Sequence, residues 1–92
     1  MKITIKYMAQ IRKGSGVPEE TIELAGAKSV QDFIKQNLCQ LHPELGQYIL
    51  DEKGALRSII LIFHGQAKVS DAVPRELKDG DVITMMPPIT GG

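Results

Sequence analysis

The tightest constraint on this chain is a strict alternation at its start. Ile3, Ile5 and Tyr7 fall on one side of an extended segment, and Lys2, Thr4 and Lys6 on the other. A period of two marks a strand with one face against a core and one in water. Such a strand needs neighbours for its edges and an apolar layer for its buried face, and the rest of the chain has to supply both. The first neighbour is close. Residues 10–18 hold Gly14, Ser15, Gly16 and Pro18, a cluster that reads as a hairpin loop. Thr21, Ile22, Glu23 and Leu24 then alternate again and would pair back onto the first strand, and Gly26 ends them.

The covering layer follows. Ser29 stands as an N-cap, with Asp32 three residues on in a capping-box pattern. Val30, Phe33, Ile34, Leu38 and Leu41 recur at helical spacing and form one apolar stripe. At about 100° per residue, Gln31, Asp32, Lys35 and Cys39 fall on the wet face. Pro43 stops this helix and starts a short second one through Glu44, Leu45, Tyr48, Ile49 and Leu50. Residues 51–54 form a polar turn.

Residues 58–63 contain the most apolar run, Ile59-Ile60-Leu61-Ile62-Phe63, which reads as a central strand covered on at least one face. Gly65 marks a tight turn, residues 67–69 a short return strand, and Asp79-Gly80 a strong turn before a last strand over 82–86. The order is strand, strand, helix, short helix, strand, short strand, strand. It predicts an α+β domain with one main helix across one face of a mixed sheet. A β-grasp arrangement, with the first and last strands side by side at the centre, accommodates it. The other face would be partly solvated, so apolar residues there call for an explanation.

Composition narrows the function. Ninety-two residues make one small domain, and 42% hydrophobic content fits a folded globule. Eleven basic residues balance eleven acidic ones, so no net field draws nucleic acid or an anionic membrane. Tyr7, Phe33, Tyr48 and Phe63 are the full aromatic set, too few for a base-stacking surface. The lone Cys39 excludes an internal disulfide framework and a cysteine-rich zinc site. The alternating N-terminus does not read as a signal peptide, and no stretch approaches transmembrane length. The expectation is a soluble cytoplasmic domain.

No catalytic machinery stands out. Gly14-Ser15-Gly16 does not continue as a dinucleotide fingerprint, and no P-loop, His-Glu-x-x-His or nucleophile elbow is present. The informative feature is the end of the sequence. After Val82-Ile83-Thr84-Met85-Met86 comes a stiff Pro87-Pro88 step, then Ile89-Thr90-Gly91-Gly92. A diglycine has no side chain to clash and tolerates backbone angles closed to other residues, so it can thread a narrow channel in a partner enzyme. The domain is therefore expected over 1–88, with a flexible tail over 89–92. The chemistry is expected at the Gly92 carboxylate, on another protein's surface.

Three segments in matching order carry a family resemblance: Tyr7-Met8-Ala9-Gln10-Ile11-Arg12, Leu77-Lys78-Asp79-Gly80-Asp81 and Pro87-Pro88-Ile89-Thr90-Gly91-Gly92. Together they resemble the MoaD/ThiS sulfur-carrier family, whose members have the ubiquitin-like β-grasp fold. The length and the Pro-Pro-x-x-Gly-Gly ending look most like MoaD, the small subunit of molybdopterin synthase. Two departures stand out: His64-Gly65 where MoaD sequences usually have Asn and a turn residue, and a longer loop over 71–74.

The resemblance implies a carried substrate or non-catalytic subunit with no bound cofactor and no metal. A ubiquitin-activating-enzyme-like adenylyltransferase of the MoeB/ThiF type would use ATP to adenylate Gly92. A sulfur donor would convert it to a thiocarboxylate, and a large synthase subunit of the MoaE type would receive the tail. Cysteine and thiazole pathways, or isopeptide linkage of Gly92 to a lysine, remain alternative destinations. The resemblance also implies that Arg12 meets acidic groups on partners.

Alternation sends Met86 outward if Ile83 and Met85 face the core, and Met8 falls out of phase with Tyr7. Flexible thioethers suit a surface that must fit several partners, so Met8 and Met86 are docking candidates; the other reading is that Met86 covers local apolar surface. Pro87 and Pro88 would hold the tail extended, leading through Ile89 and Thr90 to the Gly91-Gly92 end. Cys39 reads as a plain surface thiol. His42 and His64, lacking carboxylate or cysteine partners at ligand spacing, read as structural or solvated.

Overall fold

Five strands, β1 (Lys2–Tyr7), β2 (Glu19–Glu23), β3 (Leu61–His64), β4 (Ala67–Lys68) and β5 (Val82–Met86), form one mixed sheet in the computed structural model, which describes residues 1–88. The order is β2-β1-β5-β3-β4. β1 runs antiparallel to β2 and parallel to β5, with Thr4 beside Val82 and Tyr7 beside Met85. β5 in turn runs antiparallel to β3, Ile62 opposite Met85. The first and last strands are thus central neighbours, as the β-grasp reading requires. The expected tail over 89–92 lies outside the described residues.

One sheet face is dry. Ile3, Ile5 and Tyr7 meet Ile83, Met85 and Ile62, and Val30, Phe33, Ile34 and Leu38 close over them. The helix that supplies this cover, α2 (30–41), follows Ser29, whose hydroxyl accepts the Asp32 amide at 3.0 Å. Its middle, Phe33–Leu38, is π-helical: the Cys39 amide bonds the Ile34 carbonyl five residues back. The wider turn absorbs one extra residue, so the apolar stripe passes from Leu38 to His42 and misses Leu41. Leu41, expected in the core, is 57% exposed. Cys39 turns inward instead, half-buried against the core.

Gln31 also departs from its expected wet position. The loop after β4 folds back over it, and its amide donates to the carbonyls of Ser70 (2.6 Å) and Val73 (2.8 Å) while accepting the Arg75 amide (3.2 Å). Beside it, Lys35 pairs with Asp71 at 2.7 Å. The long loop over 71–74 is therefore fastened to the outside of α2. The expected strand over 58–63 begins only at Leu61. Residues 57–60 turn instead, with the Ile60 amide on the Arg57 carbonyl at 3.1 Å, and Ile59 is left exposed.

The region read as a hairpin loop holds a helix, α1 (Ile11–Ser15), ended by Gly16 at φ 79°. The short helix from Pro43 is present as α3 (Pro43–Ile49) and crosses α1. Gly14 is no turn residue here: a Cβ at that position would meet the Leu45 Cα at 2.8 Å. Its missing side chain lets two helix backbones touch, a demand that looks like turn chemistry in the sequence. Gly14→Ala would gain about 1 kcal/mol of helix propensity but force backbone apart. Overpacking of this kind costs about 1–3 kcal/mol, so the variant is expected to unfold at lower urea with an unchanged m-value.

Candidate functional site

The second sheet face has two halves of different chemistry. Over β1 and β2, Lys2 faces Glu23 and Lys6 faces Glu19, and the hydroxyls of Thr4 and Thr21 lie 3.3 Å apart. This half is a solvated charge ladder. Over β5 and β3, Met86 pairs with Leu61 and Thr84 with Phe63, while the intervening Met85 and Ile62 are buried on the other side. Met86, Leu61 and Phe63 are each partly exposed there. Met8 joins them at the end of β1: its amide bonds the Met85 carbonyl at 2.9 Å, and it is 45% exposed. Both methionines thus follow core residues that are paired across the parallel strands, Tyr7 and Met85.

The backbone at Ala9 sets what comes next. Ala9 has φ 50°, a left-handed conformation that costs an L-residue about 1–2 kcal/mol. It redirects the chain from β1 into α1, whose first amide, Ile11, bonds the Met8 carbonyl at 3.1 Å. Arg12 follows, exposed on α1 beside exposed Lys13. Pro87 is half-buried and Pro88 exposed where β5 ends. The structure therefore brings Met8, Met86 and the Pro87-Pro88 step to one end of the sheet, with Arg12 one short turn away along the chain. Ile89, Thr90, Gly91 and Gly92 lie outside the described residues. Leu61 and Phe63 belong to the same apolar patch and were not among the expected residues. Period-two alternation around Ile62 is the signal that would have named them.

The two histidines have carboxylate partners that are remote in sequence. Glu20 accepts the Tyr7 hydroxyl and faces the His42 Nε2, each at 2.6 Å, and the Tyr7 and His42 rings meet edge-on at 6.0 Å. Burial, then the Glu20 hydrogen bond and charge, push the Tyr7 hydroxyl far above its ordinary range. His64 accepts Arg75 Nε at Nδ1 (3.1 Å), which leaves Nε2 to donate to Asp81 (2.5 Å). These are positioned structural groups, as expected of them, but not solvated ones. Among the described residues no cluster of three His, Cys, Asp or Glu could hold a metal ion. Burial raises the Cys39 thiol pKa, so the side chain is a weaker nucleophile than a free surface cysteine.

The model of the ThiS family matches residues 5–92. This chain belongs to the ThiS family. Over its whole length it is 29% identical to the molybdopterin synthase sulfur carrier subunit of Chlamydomonas reinhardtii, also covered in full. Its fold superimposes on a putative molybdopterin converting factor subunit 1 from Pyrococcus furiosus with a TM-score of 0.74, at 33% identity over 96% of this chain and 98% of that one. SAMP1 of Haloferax volcanii superimposes with a TM-score of 0.86 at 22% identity, both chains covered in full, which is a likeness of fold. The ThiS-family chain has the ubiquitin-like β-grasp fold of a family that includes a sulfur carrier subunit. Among its described residues no helix is long and apolar enough to cross a membrane.

In this ThiS-family chain the His64 departure has a structural use, since His64 joins β3 to the Asp79-Gly80 turn through Asp81. Burial alone would raise the Asp81 carboxyl, but hydrogen bonds from His64 and the Lys78 amide, with the Lys78 charge, bring it below the ordinary range. A folded-state pKa below the unfolded one stabilises the fold above the unfolded value, about 3.9, and that contribution fades as pH falls through the folded value. Stability of the native chain is therefore expected to fall more steeply below about pH 4 than that of Asp81→Asn. Urea midpoints measured at several pH values down the acid limb check this; parallel acid limbs would contradict it.

Proposed function

We propose that this chain carries sulfur on the Gly92 carboxyl group, with residues 1–88 as the scaffold and 89–92 as the reactive tail. The observation that carries the reading is the run of β5 into Pro87-Pro88 beside an apolar patch of Met8, Met86, Leu61 and Phe63. A partner seated on that patch would receive the tail at its root. Full-length similarity to a sulfur carrier subunit and to a converting-factor subunit supports the same reading.

The chemistry needs outside help. A carboxylate resists nucleophiles because of its charge and its poor leaving group. Reaction with ATP on a MoeB/ThiF-type adenylyltransferase forms the acyl-adenylate and releases pyrophosphate. Attack by a sulfide sulfur then makes the C–S bond and expels AMP, leaving a thiocarboxylate. No cofactor resides on this chain in that scheme, and ATP is consumed by the partner. The favoured acceptor is a pterin precursor in molybdenum or tungsten cofactor synthesis, held by a MoaE-type large subunit. Cysteine or thiazole synthesis, and isopeptide linkage to a lysine, use the same activated tail and are separated by which acceptor is modified.

Incubation with ATP, the activating enzyme and a sulfur donor is expected to raise the intact mass by about 16 Da, one sulfur for one oxygen. Deleting Gly92 should abolish the gain, because the carboxyl then stops one residue short of the activated phosphorus. Cys39→Ala should retain it. A gain of about 32 Da, one whole added sulfur, that survives loss of Gly92 and disappears with Cys39→Ala would place the sulfur on the thiol as a persulfide and refute the proposal. Met86→Lys is expected to weaken binding to the large subunit at least tenfold while shifting folding stability by only about 0.5–1 kcal/mol, since the side chain is partly exposed on the open sheet face. Calorimetric titration and urea unfolding measure the two effects separately.

A further inference from the structure

The two departures from the family pattern, His64 and the longer loop over 71–74, are joined in space. Arg75 follows that loop, and its Nε donates to the His64 Nδ1 at 3.1 Å. An arginine Nε–H can only donate, so Nδ1 has to offer its lone pair. The ring proton then sits on Nε2, which faces the Asp81 carboxylate at 2.5 Å. The bond to Arg75 therefore exists only while the imidazole is neutral. Among the described residues Arg75 pairs with no carboxylate, although the residue is half-buried.

The other fastenings of the loop do not depend on that proton. Gln31 holds the carbonyls of Ser70 and Val73 and the Arg75 amide, and the Val30 amide bonds the Arg75 carbonyl at 2.6 Å. Asp71 takes Lys35 and the Leu56 amide. These bonds hold the loop from the side of α2, whereas the Arg75 side chain ties it to β3. We propose that His64 is a proton-operated latch on this loop. Protonation puts a hydrogen on Nδ1, removes the acceptor of Arg75 and sets two like charges against each other. The Nε2–H stays on Asp81, where the ring now forms a full charge pair. Arg75 turns out into the cleft of about 470 Å³ that it lines with His64, Pro74, Glu76, Lys78 and Asp81. Of the charged groups there, Asp81 and Glu76 favour the charged ring, and Arg75 and Lys78 oppose it. Lys68 of β4 lies opposite Phe63, on the other sheet face, and α2 presents the uncharged Gln31. His64 pairs with Ile83 and Leu61 with Met86, so the latch lies at the far end of the sheet from Pro87-Pro88. It stands apart from the sulfur-carrier reading.

Nuclear magnetic resonance of the isotope-labelled full chain tests this, with a titration across the histidine range of about pH 8 to 5. At the upper end the His64 ring nitrogens are expected to report a proton on Nε2 and none on Nδ1. On acidification the Arg75 Nε–H resonance should shift toward its unfolded-chain position with the midpoint of the His64 ring. The Gln31 side-chain amide should hold its shift throughout. In His64→Ala the Arg75 resonance should stay at its acid position at every pH. If that variant fails to fold, the native titration decides alone. An Arg75 resonance that ignores the His64 midpoint, or that still titrates in His64→Ala, overturns the latch. So does a neutral His64 that carries its proton on Nδ1. A Gln31 amide that moves with the same midpoint overturns it in favour of a loop that lifts as a whole.

Discussion

The parallel pairing of β1 with β5 is the contact on which the rest of this structure depends. It joins segments nearly the whole chain apart, and it is locked at one end by the Asp79-Gly80 turn. There the Lys2 amide donates to the Asp79 carboxylate at 2.7 Å, the Gly80 amide to the Lys2 carbonyl at 2.8 Å, and the Thr4 amide to the Asp81 carbonyl at 3.0 Å. At the other end the Met8 amide reaches Met85. With both ends held, Ile5 and Ile83 lie side by side under α2, and the edge strands have a centre to attach to. The same pairing places the end of β5 beside the start of α1. The Met8 and Met86 patch and the Pro87-Pro88 step therefore share one end of the sheet only because the two central strands run the same way.

The sequence announced these strands because their burial is one-sided. Ile3, Ile5 and Tyr7 alternate with residues that stay wet, and Val82–Met86 has the same period. Where burial depended on remote covering, local pattern failed. Gln31 reads as solvent-facing on any helical projection, yet a loop some forty residues later supplies it with three backbone partners. Leu41 and Cys39 exchanged roles because a projection at 100° per residue cannot anticipate a π-helical stretch. The cluster around Gly14 misled in another way, since a glycine needed for helix contact and one needed for a turn are spelled alike. At the site, Met8 and Met86 were legible by phase, whereas Leu61 and Phe63 were hidden within an unbroken apolar run.

Polar side chains do a second kind of work here. Glu20 ties β2 to Tyr7 and to His42 at the junction of α2 and α3. His64 and Arg75 tie β3 and the long loop to the turn before β5, and Lys35 with Asp71 ties that loop to α2. Each tie links segments that hydrophobic packing alone would leave free to slide. Among the described residues, no buried side-chain nitrogen or oxygen lacks a hydrogen-bond partner. Directional bonds thus set the alignment of elements whose contact is set by apolar area.

The central position of β5 has a consequence for how the molecule is made. Synthesis proceeds from β1 onward, so the strand that must sit beside β1 is the last of the five to leave the ribosome. Until then β1 has one neighbour, β2, and an unpaired edge that invites association with other chains. Closing a loop of nearly the full chain length also makes the final step slow relative to local helix formation. An emerging chain therefore acquires its cooperative fold and its tail root at the same moment. Premature termination anywhere before residue 82 leaves a fragment without the centre of its sheet. Such a fragment is work for proteases and chaperones, and a partner that recognises the folded sheet never meets it.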